Sequence, residues 1–123
     1  MKERILLVED NRSIREILKM SLERIKVRDF EVWGIETQEE ARLFFEENKE
    51  KLDFVIMDAC VPGYNPNTMG LIQHMRKSRD FKGQIIATSG DPFNREILKK
   101  AGAHHYVEDK ARLTEFFSDL GHA

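Results

Sequence analysis

The sequence predicts an α/β fold in which a doubly wound parallel sheet carries helices on both faces. Two observations predict it. Short apolar runs alternate with amphipathic stretches along all 123 residues, and two of the runs end on carboxylates. Such alternation is typical of parallel strands joined by crossover helices. Because ligands of these sheets bind beyond the carboxyl ends of the strands, that edge is where a site is expected.

Five strands and five helices are predicted from the residue pattern. The predicted strands are residues 4–9, 29–34, 53–58, 84–89 and 104–107. After each strand, apolar residues recur at helical spacing, which indicates a helix with one buried face. These stretches begin at Ile14, Ala41, Leu71, Phe93 and Leu113.

Local signals mark the helix ends. Thr37 with Glu40, and Ser13 with Glu16, have the spacing of capping boxes. Asp91-Pro92 suits the start of the fourth helix, with proline where its missing N–H costs nothing. Gly102 and Gly121 stand where the fourth and fifth helices should end.

Composition narrows the functional classes. The chain is 41% hydrophobic and 34% charged, with a net charge of -2, and its length suits one domain over residues 1–123 with no output domain. A nucleic-acid-binding domain usually shows a basic stripe, so direct nucleic-acid binding is not expected. No apolar run approaches the ~20 residues that span a bilayer. With no signal sequence and a single cysteine, Cys60, a cytoplasmic location is expected.

Three carboxylates follow two predicted strands. Glu9 and Asp10 end the first apolar run, and Asp58 ends the run at residues 54–58. If these strands are parallel neighbours, the three acids meet at one edge and repel one another strongly. A bound Mg²⁺ would offset this repulsion, since it prefers oxygen ligands. Asp10 and Asp58 are expected to ligate it directly, with Glu9 one water further out.

The acids belong to a wider set of motifs. They stand with Pro62-Gly63, with Ile85 to Gly90, and with Gly102-Ala103 followed by Tyr106 and Lys110. Together these motifs resemble the receiver domain of two-component response regulators, including single-domain chemotaxis-type regulators, over essentially the whole chain. The resemblance implies a flavodoxin-like (βα)5 fold with strand order 2-1-3-4-5.

The resemblance also implies a phosphotransfer site. Asp58 would be the phosphoacceptor, and Glu9, Asp10, Asp58 and the backbone carbonyl of Cys60 would hold Mg²⁺. The phosphoryl donor would be a sensor histidine kinase or a histidine phosphotransfer protein in a phosphorelay. The output would be contact with a downstream protein target. Such a domain catalyses only its own phosphorylation and dephosphorylation, so it is not expected to be an enzyme.

Three further residues match positions that, in the family, contact the phosphoryl group or change their pose when it is present. Ser89 would donate a hydrogen bond to the phosphoryl oxygen, Lys110 would pair with the phosphoryl group, and the pose of Tyr106 would report the state. Lys110, however, comes four residues after Tyr106 rather than three, and it precedes Ala111 rather than proline. Either a bulge restores its reach or Lys110 is not the family's lysine. The segment from Tyr64 to Thr68 is also longer than the family's usual connection.

Two alternatives remain open. A receiver-fold interaction module that is no longer phosphorylated would explain the Lys110 spacing and the longer loop. A Mg²⁺-dependent phosphohydrolase would use the same aspartate, but such enzymes commonly carry an acid two residues later, where this chain has Cys60. His104 and His105 are not expected to bind a metal, because adjacent residues of a strand point to opposite faces.

Overall fold

A computed structural model describes residues 2–120 as five parallel strands with helices on both sides. In chain order the elements are β1 (Glu3–Val8), α1 (Arg12–Glu23), β2 (Phe30–Ile35), α2 (Gln38–Asn48), β3 (Phe54–Asp58), α3 (Met69–Lys77), β4 (Gln84–Thr88), α4 (Asn94–Ala101), β5 (His105–Val107) and α5 (Leu113–Leu120). A 3₁₀ turn, Lys110–Arg112, precedes α5. No helix of this part of the chain is long and apolar enough to cross a bilayer.

The sheet has the order β2-β1-β3-β4-β5, and every pairing is parallel. The predicted fold class and strand order are therefore confirmed. Strand order reverses between β1 and β3, which pair directly although β2 comes between them in the chain. Their carboxyl ends form the crevice where ligands of open α/β sheets bind.

The core lies in two layers, one on each face of the sheet. Helices α1 and α5 cover one face, where Leu22 and Phe117 are fully buried. Helices α2, α3 and α4 cover the other, with Phe45, Ile72 and Leu98 fully buried. Because both faces are covered, β1, β3 and β4 are nearly continuous apolar runs, as expected for buried parallel strands.

Helix ends agree only partly with the predicted signals. Thr37 caps α2 by accepting from the Glu40 N–H, and Gly102 ends α4 at a φ of 124°. Ser13 lies just inside α1 as predicted, but its predicted capping role is wrong, because the Asn11 side chain accepts from the Ile14 N–H and caps the helix instead. The Asp91-Pro92 pair forms a turn, and α4 begins only at Asn94. Gly121 lies outside the described residues.

Candidate functional site

The three predicted acids meet at the carboxyl edge of β1 and β3. In the sheet register Val8 pairs with Met57, so Glu9 and Asp58 stand at the same level of neighbouring strands. One carboxylate oxygen each from Glu9, Asp10 and Asp58 lies within 4.8 Å of the others. The predicted juxtaposition is therefore present.

Glu9 is the most enclosed of the three, at 2% exposure. Its main-chain N–H donates to the Ile35 carbonyl at 3.0 Å, and the Asn11 N–H donates to its carboxylate at 3.0 Å. Contacts from β2 and from the start of α1 thus hold Glu9 at the strand end. A buried carboxylate is tolerated only with such partners.

Lys110 lies among the acids. Its ammonium donates to the carboxylates of Glu9 and Asp58, with a distance of 3.0 Å to the Asp58 oxygen. The 3₁₀ turn begins at Lys110 and is capped by Asp109, whose carboxylate accepts from the Ala111 N–H. This turn brings the ammonium into the site despite the unusual spacing after Tyr106.

The negative charge of Glu9 and the positive charge of Lys110 stabilise each other. Burial raises the pKa of Glu9, while the hydrogen bonds from Lys110 and from the Asn11 N–H oppose that rise. Burial alone would lower the pKa of Lys110, but its contacts with Glu9 and Asp58 raise it above the ordinary value. Lys110 therefore carries a positive charge at neutral pH and offsets part of the repulsion between the acids.

Main-chain contacts support Asp58 from behind. The hydroxyl of Thr68, which is fully buried, donates to the Asp58 carbonyl at 2.9 Å and lies 3.1 Å from the Ala59 carbonyl. The Ala59 N–H donates to the Thr88 carbonyl at 2.9 Å. The backbone of the predicted phosphoacceptor is thereby tied to β4 and to the start of α3.

Ser89 follows β4 on the other side of the site and is 6% exposed. Its hydroxyl oxygen accepts from the Asn94 amide at 2.9 Å and from the Asp91 N–H at 3.1 Å. The Tyr106 hydroxyl donates to the Ser89 carbonyl at 2.8 Å, and the Asp91 carbonyl lies 3.2 Å from it. Ser89, Asn94 and Tyr106 thus form one hydrogen-bonded group.

The longer loop after β3 is fastened at its ends. The Asn67 side chain accepts from the Val61 N–H at 2.8 Å and donates to the Pro62 carbonyl at 2.9 Å. Gln38 of α2 donates to the Val61 carbonyl at 2.6 Å. Tyr64 at the tip is 100% exposed. The loop therefore has anchored ends and an open tip beside the site.

An opening of about 590 Å³ lies beside Lys110. Its lining comes from Gly90 and from the segment between β5 and α5: Glu108, Asp109, Lys110 and Arg112.

The other singled-out residues have structural partners. His104 Nδ1 accepts from the Ile85 N–H at 2.9 Å, and His105 Nε2 lies 3.0 Å from the Gln84 side-chain oxygen. In the part of the chain that the structure describes, only the Glu9, Asp10 and Asp58 group has metal-binding geometry. Burial and the charges of Asp58 and Asp10 raise the pKa of the Cys60 thiol, which does not favour a nucleophilic role.

Three contributors were missed by the sequence reasoning: Arg15, Thr68 and Asn94. Arg15 donates to the Glu9 carbonyl at 2.8 Å, and the contacts of Thr68 and Asn94 are those given above. Each acts across elements, and a polar residue at a helix start carries no sign of its distant partner. The one available signal was Gly34, which interrupts a strand beside Arg15.

The donor set fits Mg²⁺. This cation takes oxygen ligands, commonly one or two carboxylates with waters, and the site offers three clustered carboxylates. Asp10 and Asp58 are partly exposed, so they can reach a hydrated ion, whereas Glu9 is enclosed.

No family model matches the chain. Among curated proteins it is 34% identical over 109 residues to a probable transcriptional regulator, ycf27, of Pyropia yezoensis, covering 86% of this chain and 41% of that protein. It is 25% identical over 108 residues to the putative two-component response regulator ARR13 of Arabidopsis thaliana, covering 87% of this chain and 18% of that one. The chain thus spans about two fifths or less of these relatives.

Solved structures match over nearly the whole fold. A response regulator receiver domain protein from Clostridium thermocellum superposes with a TM-score of 0.73 at 24% identity, covering 95% of this chain and 92% of that one. The BeF3-activated N-terminal receiver domain of Klebsiella pneumoniae RstA gives 0.77 at 20% identity, covering 97% and 96%. The chain has the fold of response-regulator receiver domains. In this fold the acids occupy the crevice where the strand order reverses.

Proposed function

We propose that this chain is a response-regulator receiver domain that accepts a phosphoryl group on Asp58 from a histidine kinase or a histidine phosphotransfer protein, with Mg²⁺ as the cofactor. The single observation that supports the proposal most strongly is the cluster of Glu9, Asp10 and Asp58 with the Lys110 ammonium on two of its members. Electrostatic stabilisation and positioning are the main demands of phosphoryl transfer, and this cluster supplies both.

The transfer is a displacement at phosphorus. A carboxylate oxygen of Asp58 forms the new O–P bond as the P–N bond to the donor histidine breaks, and the leaving imidazole keeps the electron pair and takes up a proton. Lys110 pairs with the charge on the transferring group. Asp10, Asp58 and the Cys60 carbonyl would hold Mg²⁺, which would supply positive charge against the phosphoryl group.

The response involves the Ser89 side of the site. Once Asp58 is modified, the Ser89 hydroxyl donates a hydrogen bond to a phosphoryl oxygen, and the loop before α4 follows because Tyr106 is bonded to the Ser89 carbonyl. On the adjoining surface, Phe93 is 84% exposed and Ile97 is 40% exposed. A change in the pose of these apolar side chains is a means of selecting a downstream protein target.

We further propose that the domain acts as a phosphoacceptor rather than as a turnover enzyme, within a single domain over residues 1–123 in the cytoplasm. The alternative, an interaction module that is not phosphorylated, rested partly on the spacing of Lys110. Because Lys110 contacts Asp58, that spacing no longer argues for the alternative.

The test is incubation with acetyl phosphate and Mg²⁺ followed by intact mass measurement. The expected result is a gain of one phosphoryl group in the unaltered chain and none in Asp58→Asn. Asp80→Asn is the matched control, because Asp80 is 57% exposed and pairs with Lys49. Absence of any gain in the unaltered chain, or an undiminished gain in Asp58→Asn, would contradict the proposal.

A further inference from the structure

Arg15, in the first turns of α1, contacts the main chain of the acidic corner rather than its carboxylates. Its Nη1 donates to the Glu9 carbonyl at 2.8 Å, and its side chain is only 15% exposed. The nearest carboxylate with which it pairs belongs to Glu36, at 3.8 Å, and Glu36 is 58% exposed. Because that ion pair is long and solvated, the carbonyl contact is the stronger constraint on Arg15.

Gly34 makes room for this arrangement. A Cβ atom at Gly34 would lie 2.7 Å from Cγ and 2.9 Å from Cδ of Arg15, which is too close for packed atoms. Glycine within a strand weakens that strand and often marks close approach of another group. In β2 the approaching group is the aliphatic part of Arg15.

Arg15 contacts the main chain on both sides of Asp10. Its guanidinium holds the carbonyl of Glu9, which precedes Asp10, and its own N–H donates at 2.9 Å to the carbonyl of Asn11, which follows Asp10. The Asn11 N–H donates to the Glu9 carboxylate, so the three consecutive residues form one braced turn. The direction of the Asp10 carboxylate depends on this turn.

We propose that Arg15, seated on Gly34, is a positioning residue that sets the Glu9-Asp10 turn for Mg²⁺ binding. The inference rests on the proposed function, since it concerns the same metal site. Partners that orient a metal's ligands commonly affect affinity strongly. Electrostatic repulsion alone would have the opposite effect on Mg²⁺ affinity, because a nearby positive charge repels a divalent cation. The two effects therefore predict changes of opposite sign when the charge of Arg15 is removed.

The experiment is calorimetric titration of Mg²⁺ into the unphosphorylated full chain. Arg15→Gln is expected to weaken Mg²⁺ binding by about tenfold although it removes a repelling charge, in the range typical for partners of metal ligands. Gly34→Ala keeps the charge but displaces the side chain, so it should weaken binding as well. Arg15→Lys, which keeps a donor, should recover part of the loss. Glu36→Gln is the matched control and should bind like the unaltered chain.

The outcomes separate this inference from the proposed function. Thermal unfolding in a chelator checks that each variant is folded, and Gly34→Ala serves as the test if Arg15→Gln does not fold. If the unaltered chain binds Mg²⁺ and Arg15→Gln and Gly34→Ala bind it equally well or more tightly, the positioning role is overturned and the metal site stands. If the unaltered chain binds no Mg²⁺, the proposed function is overturned, and the positioning role with it.

Discussion

The two sides of the site are held in different ways. On the acidic side, defined as Glu9, Asp10 and Asp58, most of the restraints act on the main chain: β2, the start of α1 and Thr68 hold the peptide groups. On the hydroxyl side, defined as Ser89, Asn94 and Tyr106, side chains hold one another and the loop before α4.

This difference indicates that the acidic side holds its groups in fixed positions and that the hydroxyl side can rearrange. Main-chain bonds are not exchanged by rotation of a side chain, so we expect the acidic side to stay in place when a ligand binds. Hydrogen bonds between side chains can be exchanged by rotation about χ1, so the hydroxyl side can accept a new partner. The comparison predicts that changes on the acidic side cost stability or metal binding, whereas changes on the hydroxyl side alter the balance between two states.

Lys110→Met should have the largest effect on stability. It leaves Glu9 buried beside Asp58 without the ammonium, and breaking a buried ion pair costs about 3–5 kcal/mol. Because Lys110 is 27% exposed, we expect about 2–3 kcal/mol of lost unfolding free energy in a metal-free buffer, discounted for solvent screening. Chemical denaturation in a chelator measures this loss.

The same variant should gain more from Mg²⁺ than the unaltered chain does, because the ammonium no longer competes for the carboxylates. The readout is the rise in Tm on adding Mg²⁺. Arg112→Met is the control, since Arg112 is exposed in the same turn. An equal or smaller rise in Lys110→Met would show that Lys110 does not compete with the metal.

Thr68→Val tests the main-chain support of Asp58. The substitution keeps the shape and removes the donor to the Asp58 carbonyl in a fully buried position. Leaving a buried acceptor without its donor costs about 1–3 kcal/mol, so the denaturation midpoint should fall accordingly. Thr114→Val on α5, which is only partly buried, is the control. A midpoint equal to that of the unaltered chain would show that Thr68 does not stabilise the main chain of the acidic side.

Asn94→Ala tests whether the hydroxyl side is exchangeable. Loss of the amide donor to Ser89 should cost about 1 kcal/mol in the unmodified protein. If Asn94 stabilises only the unmodified arrangement, the same free energy should appear as roughly fivefold tighter binding of beryllofluoride, a phosphoryl mimic. Weaker binding would mean that Asn94 supports both states, and the distinction between the two sides would fail.

His104→Asn tests, through pH, the contact between the segment before β5 and the start of β4, and its effect should be the smallest. Burial, with the nearby charge of Arg76 and with His105, lowers the pKa of His104 from 6.5. The neutral ring accepts from the Ile85 N–H. Because the unfolded chain takes up this proton first, stability is complete above about pH 6.5 and is lost as pH falls through the lower folded value.

Asparagine keeps an acceptor near the position of Nδ1 but does not titrate. The unfolding free energy of the His104→Asn protein should therefore fall less between pH 6.5 and 5 than that of the unaltered chain, by at most about 1 kcal/mol. His105 also has a lowered pKa because of burial and Lys99, so a smaller slope should persist. Parallel pH profiles for the two proteins would contradict the role assigned to His104.

The acidic side could be predicted because each acid directly ends an apolar strand. The period of the strands and the rule for parallel sheets are sufficient to bring Glu9, Asp10 and Asp58 to one edge. The cap of α1 was misplaced by two residues, since Ser13 and Asn11 are both good caps and only the chain's exit from β1 selects between them.

The side chains that support the two sides, Lys110, Thr68 and Asn94, were less predictable. The position of Lys110 depends on a capped 3₁₀ turn that the spacing after Tyr106 does not show. Asn94 and Thr68 act on partners five and ten residues away, across a loop whose path is set by packing. Local propensity carries no information about such contacts, so these residues emerge only from the fold.

The fastened loop after β3 also has a practical use. Its ends are tied by Asn67 and Gln38, while Tyr64 points wholly into solvent, so a dye attached there through Tyr64→Cys leaves the anchoring bonds intact. The native thiol of Cys60 has a raised pKa and so presents little thiolate at neutral pH. A maleimide therefore prefers the introduced thiol, and the loop becomes a fluorescence reporter a few residues from Asp58, the proposed phosphoacceptor.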